Sequence, residues 1–289
     1  MNILVCVKQV PDTTEIKIDP VKNTLIREGV PSIVNPFDGY ALEAAARIKD
    51  KDPETKIVVL SMGPEQAKAA LKECLAIAAD KAYLVSDRAF GGSDTLATSY
   101  IISETIKKVE ELEGKFDAIF CGKQAIDGDT AQVGPQIAEK LNLPQVTYAE
   151  EIVSAENGVA TVTRRIESGV ETVKCPLPLV VTVNGSAAPC RPRNAKAIMK
   201  YKRAASMTEA GDDAAKKALL EERPYLLVNE WNAAYVDADL QQCGLAGSPT
   251  KVKAIENVVF TAKDARNIEN NDAELEGLIK ELIANHTIG

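Results

Sequence analysis

Residues 116–135 read FDAIFCGKQAIDGDTAQVGP. Ala118, Ile119, Phe120 and Cys121 form a short apolar run that breaks at Gly122. After a polar loop a helical pattern is expected from Thr130, with Val133, Ile137 and Leu141 on one face. Strand, loop and helix in that order is the repeating unit of a parallel sheet covered by helices. The same grammar runs upstream. ILVCVKQV (3–10), KIVVLSM (56–62) and AYLVSD (82–87) are candidate strands, and PFDGYALEAAARIKD, PEQAKAALKECLAIAAD and SDTLATSYIISETIKKVEEL between them carry apolar residues at helical spacing. Asp38 after Pro36, Pro64 after Gly63, Ser93 or Asp94, and Asp129 supply the opening signals of the helices. The fold class expected is α/β: a doubly wound, mainly parallel, Rossmann-like sheet.

After Pro144 the pattern changes. Glu156-Asn157-Gly158 and Glu167-Ser168-Gly169 separate alternating runs, which predicts antiparallel hairpins as a β annex to the sheet. Residues 1–203 are expected to form one α/β domain with this annex. Residues 204–289 are expected to be a linker, small and polar over 204–217, and a C-terminal arm whose apolar stretches at 225–228, 258–260 and 275–283 call for a partner.

Composition removes several function classes. With 289 residues and 45% apolar content the chain buries an ordinary core without staples. A net charge of -8 gives no general attraction to nucleic acid. The six cysteines are scattered without a C-x-x-C pair, so no metal centre is expected, and they fit a reducing compartment. His286 is the only histidine and lies near the C-terminus, which disfavours histidine-based catalysis. The opening MNILVCVKQV has no basic leader and no apolar run reaches membrane-spanning length, so a cytoplasmic chain without membrane insertion is expected.

Open parallel sheets bind ligands at the carboxyl ends of their strands. Three loops leave such ends here: Lys8 to Thr13, Ser61 to Pro64, and Gly122 to Thr130. The last is expected to run into a helix N-terminus suited to a phosphate, with Thr130 and Gln132 adding hydrogen bonds and Lys123 a counter-charge. Neither G-x-G-x-x-G nor a Walker sequence is present, and spacing alone leaves nucleotide binding and a structural turn equally open.

VKQVPDT at the start, NPFDGYALEAA (35–45), SMGP (61–64), GKQAIDGDTAQVGP (122–135) and RPRNAKAIMKYK (191–202) together resemble the β subunit of electron-transfer flavoproteins. The likeness covers most of the chain and is strongest from 1 to about 203. It implies a heterodimer with an α subunit and an adenine-nucleotide pocket that holds AMP in ordinary members or a second FAD in electron-bifurcating ones. It also implies which residues form that pocket. Cys6, Lys8, Gln9 and Val10 would flank the adenosine, Asn35, Pro36, Phe37 and Asp38 would close on it, and Met62 and Gly63 would line the same wall. Gly122, Lys123, Gln124, Ala125, Ile126 and Asp127 would meet base and ribose, and Asp129, Thr130, Gln132 and Val133 the phosphates. Plain core packing is the other reading of Phe37 and Met62.

KNTLIREGVPSIVNP (22–36), SDRAFGGSDTLATSY (86–100) and the tail at 236–260 look like the bifurcating type. In the second, Gly91 and Gly92 would admit close approach of NADH, beside Ser93, Asp94 and Thr95 at a helix start; a tight turn and a helix cap is the alternative. The bifurcating resemblance implies that NADH donates a hydride to FAD in the β pocket. One electron would then pass to ferredoxin or flavodoxin and the other, through the α-subunit FAD, to a flavin-dependent dehydrogenase. No residue is expected to act as acid, base or nucleophile. The docking stretch 193–199 departs from the usual pattern, leaving Ile198 as the aliphatic anchor or none.

Overall fold

The computed structural model describes residues 1–12, 17–18, 25–26, 31–250 and 266–288. Its first part alternates strand and helix: β1 (Asn2–Cys6), four short pieces β2 (Gln9–Pro11), β3 (Lys17–Ile18), β4 (Leu25–Ile26) and β5 (Ser32–Val34), then α1 (Pro36–Lys51) and β6 (Lys56–Met62). There follow α2 (Lys68–Ile77), β7 (Lys81–Val85), α3 (Thr95–Glu113), β8 (Ala118–Gly122) and α4 (Val133–Leu141). The annex is β9 (Gln145–Glu156), β10 (Val159–Ile166) and β11 (Gly169–Pro176), after which the chain returns to the sheet as β12 (Leu179–Val183). Beyond it lie α5 (Ala195–Tyr201), α6 (Met207–Ala210), α7 (Ala214–Glu222), β13 (Val228–Trp231) and α8 (Asp272–Ala284).

One nine-stranded sheet has the order β11-β10-β9-β12-β8-β1-β6-β7-β13. From β9 to β13 all neighbours are parallel, and β10 and β11 add antiparallel. The hairpin between β9 and β10 turns at Asn157 and Gly158, both at positive φ (53° and 76°), as a two-residue turn requires. Helices cover both faces: Leu42 of α1 and Leu71 of α2 pack in one core, Ile101 of α3 and Ile137 of α4 in the other. The sheet is therefore doubly wound, as expected. The chain builds outward from β1 to β6 and β7, then crosses back to β8 on the other side. That reversal opens a crevice between the carboxyl ends of β1 and β8.

The structure differs from the sequence reading in several places. The run 3–10 is two elements, because β2 leaves the large sheet to pair antiparallel with β5. The helix expected from Thr130 begins at Val133. A helix opening at Thr130 would set Pro135 inside it, where the ring meets the carbonyl of Ala131 and the missing N–H breaks the ladder. Starting at Val133 leaves the proline in the first turn.

The stretch after 203 does not leave the core. Ala204, Ala205, Ser206, Ala210, Leu226 and Val228 are buried, β13 extends the sheet beside β7, and the first compact unit runs through residue 253. Lys68, itself buried, holds this segment down. Its Nζ lies 3.0 Å from Glu230 Oε2 and 3.3 Å from Ser206 Oγ, so short polar residues read as linker are fixed by a buried charge that needs partners. Residues 254–289 form a second unit in which α8 exposes Leu275, Ile279 and Ile283 on successive turns. Thr13, residues 22–24 and 27–30 and residues 251–260, on which parts of the sequence reading rest, lie outside the described residues. No described helix is long and apolar enough to cross a membrane.

Candidate functional site

At the crevice, Asn35 and Asp38 at the start of α1 tie three chain segments together. Pro36 occupies the first helical position, where its missing N–H costs nothing. Asp38 Oδ2 accepts from the backbone N–H of Lys8 at 2.7 Å and Oδ1 from that of Gly122 at 3.2 Å, joining the segments that leave β1 and β8. Burial drives the Asp38 carboxyl up to about 7, although these hydrogen bonds oppose the shift. Asn35 is fully buried; its Nδ2 donates to the Gln124 carbonyl at 2.8 Å and its Oδ1 accepts from Ile126 N–H at 3.2 Å. The loop after β8 is thus held in shape from beneath.

Gly122 has no room for a side chain. A Cβ there would lie 2.4 Å from Asp38 Oδ1 and 2.6 Å from the Phe37 carbonyl carbon. Above it the acids of the loop have side-chain partners. Asp127 takes Lys8 Nζ at 2.8 and 2.9 Å, and Asp129 Oδ1 takes Gln124 Nε2 at 2.6 Å. Asp129 and Ala131 both adopt φ of 52°. Among the described residues, no protein group accepts the backbone N–H of Thr130, Ala131 or Gln132. Two left-handed residues and a run of free N–H groups, leading into the positive end of α4, form a concavity suited to an anion.

The other predicted residues fall into place unevenly. Cys6 ends β1 beside Cys121 of β8; a hydrogen bond between their thiols, reinforced by burial, pushes the Cys6 thiol well up. Val10 is fully buried, which leaves only backbone to face a ligand. Phe37 is half-buried against Gly185, Met62 ends β6 with Gly63 following it, and Lys123 Nζ lies 5.2 Å from the centre of the Tyr148 ring. Gln132 and Thr95 join the starts of α4 and α3, since Thr95 Oγ1 donates to Gln132 Oε1 at 2.8 Å.

The loop of Gly91 to Asp94 is covered on one side. Gly92 has φ of 76°, and a Cβ on it would lie 2.7 Å from Leu245 Cδ2. Ser93 Oγ donates to the Phe90 carbonyl and accepts from Gly244 N–H at 3.0 Å; Asp94 caps α3 through Leu96 and Ala97 N–H and also takes Thr250 Oγ1 at 2.7 Å. The close approach that glycine permits at 92 is therefore to Leu245, a contact between residues so distant that spacing gave no sign of it. Arg191, quoted above only as part of a motif, proves structural. It spans Glu43 at 2.7 Å and Asp50 at 2.7 Å, and the hydrogen bonds it donates to Asp50 and Glu43 push its own pKa up.

Residues 22–216 match the electron transfer flavoprotein domain. The chain belongs to the electron transfer flavoprotein family. It lies on the β-subunit branch. It is 46% identical to the electron transfer flavoprotein subunit beta of Megasphaera elsdenii, with 100% of both chains covered. It is 48% identical to the caffeyl-CoA reductase-Etf complex subunit CarD of Acetobacterium woodii, over 87% of this chain and 86% of that one. Protein FixA of Azotobacter vinelandii is 41% identical, over 98% and 94%. Membership of this flavoprotein family implies flavin or nucleotide involvement in general terms.

Proposed function

We propose that this chain is the β subunit of a heterodimeric, electron-bifurcating electron transfer flavoprotein, holding FAD in the crevice between β1 and β8 and receiving hydride from NADH. The row of free N–H groups at Thr130 to Gln132 carries this reading, since it suits a pyrophosphate. Bound there, FAD would supply the redox chemistry, accepting two electrons and releasing them singly to ferredoxin or flavodoxin and, through the α-subunit FAD, to a flavin-dependent dehydrogenase. The protein's own residues bind and orient. Asp38 and Asn35 hold the loop, Lys8 and Gln124 draw Asp127 and Asp129 away from the phosphate path, and Gly122 lets the first turn of α1 close beneath it. The relative named for a caffeyl-CoA reductase complex supports a dehydrogenase partner.

For the α subunit the proposed contact is α8, whose exposed Leu275, Ile279 and Ile283 line one side. For the dehydrogenase it is α5, where Ile198 and Met199 are 42% and 70% exposed beside Lys196 and Lys200. The same N–H row would receive the single phosphate of AMP, the alternative in a carrier with one flavin. Under anaerobic conditions, NADH with the intact complex should reduce ferredoxin only while the dehydrogenase and its oxidised substrate are also present. Ferredoxin reduction that ignores the dehydrogenase, or no NADH oxidation, would refute bifurcation.

A further inference from the structure

Strand β9 holds one residue at a backbone angle that its side chain disfavours. Tyr148 has φ of 56°, a region that bulky residues seldom enter. It stands in a β-bulge: Val146 pairs with Val181 and Ala149 with Val183, so Thr147 and Tyr148 together face Thr182. Regular alternation from Val146 would have turned Tyr148 into the core under α1, and the bulge gives that place to Ala149 instead. The bulge is braced on both sides. Thr182 Oγ1 accepts the Tyr148 N–H at 3.1 Å, and Arg164, paired with Glu171, donates at 2.8 Å to both the carbonyl and the hydroxyl of Thr147. On its other branch Thr182 meets α4, since a Cβ on Gly134 would lie 2.6 Å from Thr182 Cγ2. The bulge therefore lies against the first turn of the helix that follows the free N–H row.

The ring so placed is 38% exposed, and Lys123 Nζ lies 5.2 Å from its centre, within cation–π range. Lys123 opens the loop after β8, its N–H bonded to the Val183 carbonyl at 2.8 Å. The two lysines of the crevice loops differ in what they have left to give. Lys8 is spent on Asp127, whereas Lys123 is in no ion pair among the described residues. An aromatic face holds an ammonium without neutralising it, so this pair keeps a positive charge at the crevice.

We infer that Tyr148 is a positioning residue, turned out of the core to hold Lys123 as the counter-charge for the phosphate end of the bound nucleotide. The inference rests on the nucleotide reading of the crevice and adds a residue from a strand that β12 separates from β8.

The test titrates the intact complex with its flavoprotein partner, depleted of crevice nucleotide, with ADP, which carries a diphosphate, and with adenosine, which carries none. Lys123→Gln should weaken ADP about tenfold and leave adenosine as in wild type, because a contact between charged groups is lost. Tyr148→Leu should weaken ADP about threefold and Tyr148→Phe hardly at all, since phenylalanine keeps the ring face. In the Lys123→Gln background Tyr148→Leu should add nothing, because one residue acts through the other. Tyr148→Gly relieves the backbone strain, so its urea midpoint should equal or exceed that of wild type while ADP binding falls as in Tyr148→Leu. Equal losses for ADP and adenosine, additive effects in the double variant, or a lowered midpoint for Tyr148→Gly would make the ring a packing element and overturn the inference. ADP binding at wild-type strength in Lys123→Gln and Tyr148→Leu would also overturn it, while leaving the nucleotide reading intact. If wild type binds neither ADP nor adenosine, the nucleotide reading falls as well.

Discussion

Gly122→Ala should cost the protein about 3 kcal/mol or more of stability and strip the nucleotide from it. The added methyl carbon would stand 2.4 Å from Asp38 Oδ1, 2.6 Å from the Phe37 carbonyl carbon and 2.7 Å from Asp38 N. Two of these three atoms are backbone of the first turn of α1, which cannot step aside by changing a rotamer. Overpacking alone costs about 1–3 kcal/mol. Lifting α1 would also break the hydrogen bond from Gly122 N–H to the buried Asp38 carboxyl, worth about 0.5–1.5 kcal/mol to the neutral acid and about 1.5–3 kcal/mol once it is ionised. Asn35 rides on the same turn, so the loop from Lys123 to Asp127 loses its support as well. Chemical denaturation and nucleotide content measured on the same preparation check this. A variant with wild-type midpoint and full nucleotide would show that the crevice is looser than these distances state.

Asp38 should make the protein less stable as pH rises from about 4 to 7, and Asp38→Asn should remove that dependence. An aspartate in the unfolded chain ionises near 3.8, whereas burial raises this one to about 7. Between those values the folded form keeps a proton that the unfolded form has lost. Unfolding therefore releases a proton, and stability falls with increasing pH across the window and levels off above the folded value. The full effect is about 4 kcal/mol, at about 1.4 kcal/mol for each pH unit of difference. The nearest cation, Lys8, relieves little of this because its Nζ turns outward to Asp127. Asparagine offers one acceptor for two N–H groups, so the variant also loses one of the Lys8 and Gly122 bonds and its baseline shifts. Urea titrations at several pH values read the slope directly. An unchanged slope in Asp38→Asn would assign the titration to another group.

The parts of the fold legible in the sequence were those set by local chemistry. KIVVLSM is a strand from Lys56 to Met62 because an unbroken apolar run in a doubly covered sheet has no polar face. Asn157-Gly158 marks a hairpin by its backbone freedom alone, and Asp94 caps α3 as expected. What escaped was set by distant partners. β13 is only four residues, VNEW, and becomes a strand because β7 offers a parallel edge and Tyr83 a face for Trp231, 4.8 Å between ring centres. The small residues at 204–206 look like linker until Lys68 is seen to need Ser206 and Glu230. In the candidate site, the motifs named the residues of the crevice but not their division of labour. Asp38 and Asn35 face the protein's own backbone, and the loop acids are spent on Lys8 and Gln124. The late start of α4 was readable from Pro135, a signal outweighed by Asp129 as an apparent cap.

The most direct measurement is the identity and amount of nucleotide released from the purified complex of this chain with its flavoprotein partner. Denaturation followed by chromatographic separation and absorbance counts FAD and AMP per heterodimer. Two FAD and no AMP is the expected result, with one FAD lost selectively when Gly122 is replaced. One FAD and one AMP would contradict a flavin in the β1–β8 crevice and leave the chain a structural, AMP-holding subunit.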